Sequence, residues 1–108
     1  MFAPNCRCFG TRVEFAQNCE RLMQAQWAPI WSNTRSFRFL AAPFEIILSD
    51  DGLLACVLAL WESKGIGPGG KTFPRRGRST TILRRDGRQS TKWLAIHTHY
   101  SKTPNGEL

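Results

Sequence analysis

The stretch that decides the fold is RSTTILRRDGRQSTKWLAIHTHYS, residues 78–101. It contains two runs rich in residues that favour strands, with the turn-forming sequence Arg-Asp-Gly-Arg between them at residues 85–88. This pattern predicts a β-hairpin from Arg78 to Ser101, whose second strand covers residues 92–101.

The segment that follows residue 10 has the pattern of an amphipathic helix. Thr11 and Glu14 have the spacing of a capping box, in which the threonine caps the helix and the glutamate returns a hydrogen bond. Apolar residues then recur at steps of three and four as far as Trp27. Because a residue that precedes proline avoids helical backbone angles, we expect this helix to end before Pro29.

Between the helix and the hairpin, the spacing of the apolar residues is that of strands. They alternate from Phe37 to Leu48, with an interruption near Pro43. Residues 49–52 (Ser-Asp-Asp-Gly) predict a turn with a positive φ at the glycine. Leu53–Trp61 is apolar at both its odd and its even positions, which is typical of a strand that lies between two packed layers. A Gly- and Pro-rich loop is predicted from Glu62 to Gly70.

A helix followed by antiparallel strands predicts an α+β fold in one domain, residues 1–108. A helix can cover one face of the strand at Leu53–Trp61, which is apolar on both faces, and the other apolar face then still has to be covered. The economical solution is self-association through the sheet. We therefore expect a homodimer or a higher homo-oligomer.

Composition and termini indicate a soluble protein. Apolar residues make up 42% and charged residues 21% of the 108 residues, and the longest apolar stretch is too short to cross a bilayer. No secretory signal is visible at the N-terminus, so a cytoplasmic location without membrane contact is expected. In that compartment the four cysteines should be reduced, with Cys19 and Cys56 packed as small apolar residues.

The net charge of +7 is concentrated in residues 71–92, which hold eight of the fifteen basic residues and one acid. Such a segment can contact phosphates, but sheets that read bases usually expose several aromatic residues, and Phe73 is the only one among these charges. A solvated edge is the better interpretation, so nucleic-acid binding is not expected.

His97 and His99 lie two residues apart, so alternation places them on one face of the strand with Trp93 and Ala95. Two such histidines can bind a metal, relay a proton or orient a ligand, although partly buried and hydrogen-bonded side chains are the plainer interpretation. A metal needs a third ligand that no neighbouring carboxylate supplies. No metal and no cofactor are therefore expected.

Arg78 opens the strand that pairs with the histidine strand, so its side chain can point towards the same concavity. A buried arginine needs a carboxylate or an anionic ligand. Arg78 is therefore expected either in an ion pair with Glu14, Glu20 or Glu45, which is favoured, or on the carboxylate or phenolate of a ligand. Trp61 and Trp93 could wall the same pocket, although tryptophans in strands are more often part of the core.

The hairpin resembles the C-terminal hairpin of SnoaL-like domains in the nuclear transport factor 2-like superfamily. It is similarly close to the association domain of calcium/calmodulin-dependent protein kinase II. The shared features are an Arg-x-Thr strand at Arg78, an Asp-Gly turn at Asp86, and a Trp (Trp93) followed by two histidines and a serine. Phe9-Gly10-Thr11 and the strand that ends at Trp61 occur in the matching order.

This resemblance implies a curved antiparallel sheet wrapped around helices, with a cone-shaped pocket and dimerisation through the outer face of the sheet. It places Arg78, Trp61, Trp93, His97 and His99 in the pocket lining. Family members usually begin with a long helix that covers the cone, and this chain is expected to lack it.

Functions implied by the resemblance range from isomerases, cyclases and dehydratases to plain ligand binding and assembly. The expected function is binding of a small anionic or polar-aromatic molecule. If the protein is an enzyme, His97 or His99 acts as general acid or base and Arg78 stabilises negative charge. No aspartate stands where ketosteroid isomerases have their base, which argues against steroid isomerisation. The alternative is an association module without catalysis.

Overall fold

The computed structural model describes residues 2–11, 14–24 and 34–104. In this part of the chain, one curved, mixed sheet has five strands in the spatial order β1-β5-β4-β3-β2. The elements are β1 (Phe2–Phe9), α1 (Cys19–Leu22), β2 (Thr34–Leu48), β3 (Leu54–Ile66), a 3₁₀ turn (Pro68–Gly70), β4 (Thr72–Arg84) and β5 (Leu94–Lys102). Within these described ranges, no helix has the length and apolar composition that crossing a bilayer requires.

The predicted hairpin is confirmed, although its second strand is Leu94–Lys102 and not residues 92–101. β4 and β5 are antiparallel, and Arg78 pairs with Ser101 while Thr80 pairs with His99. β2, β3 and β4 are joined to one another by further antiparallel pairings. β1 is the exception, because it lies parallel to β5 at the edge of the sheet, with Phe9 beside His99.

A β-bulge in β5 changes which residues share a face. Ile82 pairs with His97 but Leu83 pairs with Ala95, so Ile96 is an extra residue in β5. Since Ile82 and Leu83 point to opposite faces of the sheet, Ala95 and His97 do so as well. The prediction that Ala95 and His97 share a face is therefore wrong, because strict alternation does not hold across a bulge.

The helix begins later than its sequence predicts. Cys8 and Ala16 exchange two backbone hydrogen bonds, of 2.9 and 2.8 Å, so the chain at Ala16 is extended. Asn18 then caps α1 through its side-chain oxygen, which accepts from the Arg21 N–H at 2.8 Å. The predicted start at Thr11 is therefore wrong at residues 14–18, where pairing with β1 outweighs helix propensity. The remainder of the predicted helix, at residues 25–28, lies outside the described residues.

The predicted turn at residues 49–52 is confirmed. Gly52 has a φ of 73°, a conformation that favours glycine. The Asp51 carboxylate accepts hydrogen bonds from Ser49 Oγ at 2.7 Å and from the Leu53 N–H at 3.0 Å, and these hold the pKa of Asp51 below its ordinary value. The strand that follows is longer than predicted, because β3 pairs with β4 as far as Ile66.

The two faces of the sheet differ in burial. On one face, Ala55, Ala59, Trp61 and Ser63 of β3 are at most 6% exposed, and we call this the inner face. We call the opposite face, which carries Arg78, the open face. Its side chains from the three central strands are exposed or half-buried; they include Leu54, Leu58, Leu60, Thr80 and His99. The described residues thus leave one apolar side of β3 partly uncovered, as its two-sided composition predicts.

Candidate functional site

A cavity of about 510 Å³ lies on the open face, and we call it the first groove. Leu58 and Leu60 form its apolar floor, and polar side chains from three different strands surround them. The lining consists of Pro43, Glu45, Leu58, Ala59, Leu60, Arg78, Ser79, Thr80, His99 and Ser101.

The register of the sheet brings these side chains together. In one row across the sheet, Leu58 pairs with Glu45 of β2 and with Thr80 of β4, which in turn pairs with His99 of β5. In the next row, Leu60 pairs with Arg78, which pairs with Ser101. Residues paired in one row point to the same face, so the sheet itself fixes a cation, an imidazole and two hydroxyls around the leucines.

Arg78 is exposed and its side chain is held at one point. Its Nε donates a hydrogen bond to Ser101 Oγ at 3.1 Å. The predicted alternative, an ion pair with Glu14, Glu20 or Glu45, is not formed among the described residues, where both ion pairs involve Glu62. The guanidinium therefore has donors left for an anion in the groove.

The two histidines have different surroundings. His97 Nδ1 lies 2.6 Å from the backbone oxygen of Arg7, and since a carbonyl can only accept, Nδ1 is the donor and carries a proton. This bond ties β5 to β1. His99 lies on the first groove and has an edge contact with Phe9, with ring centroids 5.3 Å apart. The structure thus places His99 with Arg78 in the first groove and His97 outside its lining.

Neither predicted tryptophan lines the first groove. Trp61 is on the inner face, 5% exposed and stacked on Phe37 with ring centroids 5.6 Å apart, and its Nε1 donates to the Arg78 backbone oxygen at 3.3 Å. Trp93 precedes β5, and the Arg85 guanidinium lies 4.5 Å from the centre of its ring. Neither indole therefore lines the groove with the side chains of Arg78 and His99.

Burial favours the neutral forms of Tyr100 and Cys6. Burial raises the pKa of Tyr100 to about 12. Cys6 and Cys8 are fully buried with their Sγ atoms 3.3 Å apart, and burial together with the Cys8 thiol raises the pKa of Cys6. The protonated Cys6 thiol is a poor nucleophile. In the described ranges, no three His, Cys, Asp or Glu side chains are grouped as a metal site requires.

In the sequence, the first groove was indicated by the predicted hairpin, which pairs the strand of Arg78 with the strand that carries the two histidines. Leu58 and Leu60 were not predicted to belong to the site, and Glu45 was predicted only as an alternative ion-pair partner of Arg78. The sequence shows which residues of each strand share a face. It does not show which of them lie next to Arg78, because that depends on the register between β2, β3 and β4.

The fold is that of the nuclear transport factor 2-like proteins. A superfamily member from Salmonella enterica superposes with a TM-score of 0.75 at 18% identity, over 100% of this chain and 75% of that one. A ketosteroid isomerase-like protein from Erwinia carotovora gives 0.73 at 14% identity, over 95% and 77% of the two chains. The S. rosetta CaMKII hub gives 0.67 at 20% identity, over 95% and 77%.

At these identities, the similarity establishes the fold and leaves the activity open. The fold expected from the Arg78–Ser101 hairpin is thus confirmed. The sequence matches no family model and no curated protein.

Proposed function

We propose that this protein binds a small anionic molecule in the first groove. The observation that carries the proposal is the convergence of Arg78, Thr80, His99 and Ser101 around a floor of two leucines. Such a site combines an apolar surface with a few fixed polar groups, which is the usual composition of a small-molecule site.

The chemistry of the lining indicates the kind of ligand. Arg78 offers a guanidinium that no described carboxylate neutralises, which suits a carboxylate or phenolate. Leu58 and Leu60 suit a ring or a short apolar chain. Glu45, on the far side of the groove, disfavours a second negative charge there, so a monoanion with an apolar body fits best.

Replacement of Arg78 by alanine is expected to weaken binding of salicylate, used as the probe, by at least tenfold. A hydrogen bond to a charged group is worth about 1.5–3 kcal/mol, and about 1.4 kcal/mol corresponds to a factor of ten in affinity. His99→Ala, which leaves the cation in place, is expected to cost a few-fold. Dissociation constants are measured by nuclear magnetic resonance titration.

The matched control is Arg84→Ala. Arg84 is an exposed arginine of the same strand on the same face, and it lies outside the groove lining. Its removal changes the net charge by the same amount and is expected to leave affinity unchanged. Equal affinities for the Arg78→Ala and Arg84→Ala proteins would show that salicylate does not bind at the proposed site.

A second candidate function is self-association, which the exposed apolar side chains of the open face favour. Ile47 and Leu54 are 56% and 44% exposed at one end of this face. The association domain of C. elegans CaMKII shares the fold, with a TM-score of 0.62 at 14% identity over 94% of this chain and 74% of that one. Assembly through this face competes with the first candidate, because it covers Arg78 and His99.

Sedimentation velocity tests this candidate with two adjacent isoleucines. Ile47 pairs with Cys56 on the open face, whereas Ile46 pairs with Val57 on the inner face and is 62% exposed. If the open face mediates assembly, the unmodified protein sediments as a dimer or larger species and Ile47→Glu shifts it to the monomer. Ile46→Glu should not. A monomeric parent protein, or the same shift in both variants, contradicts assembly through the open face.

A further inference from the structure

A second cavity, of about 360 Å³, lies on the open face beside the first groove. We call it the second groove. Its lining consists of Ser36, Arg38, Glu62, Ser63, Lys64, Pro74 and Arg76. The two grooves adjoin, because Glu62 and Arg76 form the row of paired residues two positions beyond the row of Leu60 and Arg78.

The second groove holds three cations and one carboxylate, and the carboxylate is already matched. Glu62 Oε1 accepts a hydrogen bond from Arg38 Nε at 2.6 Å and also contacts Arg38 Nη2. Arg76 Nε is 3.8 Å from Glu62 Oε2, which is too long for a hydrogen bond. Arg38 therefore balances most of the charge of Glu62, and Arg76 has its donors available.

Lys64 forms no ion pair with the described acidic residues. Seven of the eight acidic residues lie in the described part of the chain, and Glu62 is the only one of these seven that forms an ion pair there. Glu107 is outside it. Lys64 pairs with Pro74, one alternate position from the Glu62–Arg76 pair, so Lys64 and Arg76 are diagonal neighbours on the same face. The single charge of Glu62 is shared between Arg38 and Arg76, so the three cations of the groove keep an excess of two positive charges. Lys64 and Arg76 repel each other at this spacing, and an anion between them relieves the repulsion.

We propose that the second groove binds a phosphate group through Arg76 and Lys64. A phosphate suits it better than a carboxylate, because its charge of nearly −2 matches the groove's excess of two positive charges and its three oxygens can accept from both sides of the groove. Since the grooves adjoin, the ligand class is a small phosphate ester whose apolar part lies over Leu58 and Leu60. This last step rests on the function proposed for the first groove, and the phosphate site does not.

Phenyl phosphate is the test ligand, titrated by nuclear magnetic resonance at fixed ionic strength. Arg76→Gln and Lys64→Gln are each expected to weaken its binding at least fivefold. Glu62→Gln is expected to tighten binding several-fold, because it removes the only carboxylate in the groove. Arg84→Gln serves as the charge-matched control and should change nothing. All four residues are exposed or half-buried, and thermal unfolding confirms that the variants are folded.

Three results overturn the proposal: unchanged affinity in Arg76→Gln, unchanged affinity in Lys64→Gln, or weaker binding in Glu62→Gln. If a single-stranded oligonucleotide binds much more tightly than phenyl phosphate through the same residues, the ligand is a nucleic acid and the proposal of a small phosphate ester is wrong. Inorganic phosphate and salicylate separate the two grooves. The affinity for inorganic phosphate should depend on Arg76 and not on Arg78. If only the function proposed for the first groove is wrong, Arg78→Ala leaves salicylate binding unchanged while phosphate binding still depends on Arg76.

Discussion

Trp61→Ala is expected to lower the free energy of unfolding by about 3–5 kcal/mol, the usual cost of removing a buried tryptophan. Trp61 is 5% exposed and stacks on Phe37, and its indole lies directly over Gly77 on the neighbouring strand. Truncation leaves a cavity in the middle of the inner face and removes the hydrogen bond to the Arg78 backbone oxygen. Since small domains are stable by about 5–15 kcal/mol, this is a large share of the total.

Denaturant unfolding followed by far-ultraviolet circular dichroism measures this loss without relying on tryptophan fluorescence. Trp93→Ala is the control, because Trp93 is half-buried and its ring packs against the Arg85 guanidinium. Its loss should cost about 1–2 kcal/mol. Equal losses in the two variants would show that Trp61 has no special place in the inner face.

Gly77→Ala is the second variant with a large expected effect, a loss of about 3 kcal/mol. A Cβ atom at this position would lie 2.2 Å from the Ser101 backbone oxygen and 2.2 Å from Trp61 Cζ2. The indole can shift, but the Ser101 oxygen is fixed by the pairing of β4 with β5. The added methyl therefore has to separate the two strands or strain the backbone, at the upper end of the cost of overpacking.

Gly87→Ala provides the comparison, because a Cβ there meets no atom within 4 Å and the residue has no positive φ. It should be neutral or slightly stabilising. The double variant Trp61→Leu with Gly77→Ala tests the origin of the strain. Removal of the indole relieves one of the two clashes, so the two changes together should destabilise less than their sum. Strict additivity contradicts the proposed contact.

The hairpin was predictable because its determinants are local. The turn residues at 85–88 and the strand-forming runs on both sides lie close together in the sequence and indicate the pairing of β4 with β5. The same holds for Gly52, whose positive φ follows from a turn-forming sequence.

The misplaced elements depend on contacts between distant segments. Ala16 is extended because it bonds to β1, and β1 itself is held by β5, so neither is visible in a local pattern. The bulge at Ile96 requires no particular residue type, which is why alternation could not predict that Ala95 and His97 point to opposite faces.

The candidate site was predictable where it depends only on the hairpin. Arg78 and His99 lie on paired strands one alternate position apart, so the hairpin alone brings them to one face. Trp61 lies on a strand that is apolar on both faces, and such a pattern does not show which face is turned towards the core. The sequence therefore predicts a cation and an imidazole on the same surface, but it does not give the side on which Trp61 packs.

The parallel pairing of β1 with β5 sets the order in which the protein can fold during synthesis. Arg7 and His97, which pair across this edge, are 90 residues apart, so β1 leaves the ribosome long before its partner exists. Translation proceeds at about 5–20 residues per second, so during that interval Cys6 and Cys8 have Ala16 and Phe2 as neighbours but lack the cover that β5 supplies. β5 then completes the hairpin and the edge together. A chain that terminates before residue 94 therefore leaves one edge of β4 and one edge of β1 unpaired at once, beside two oxidisable thiols.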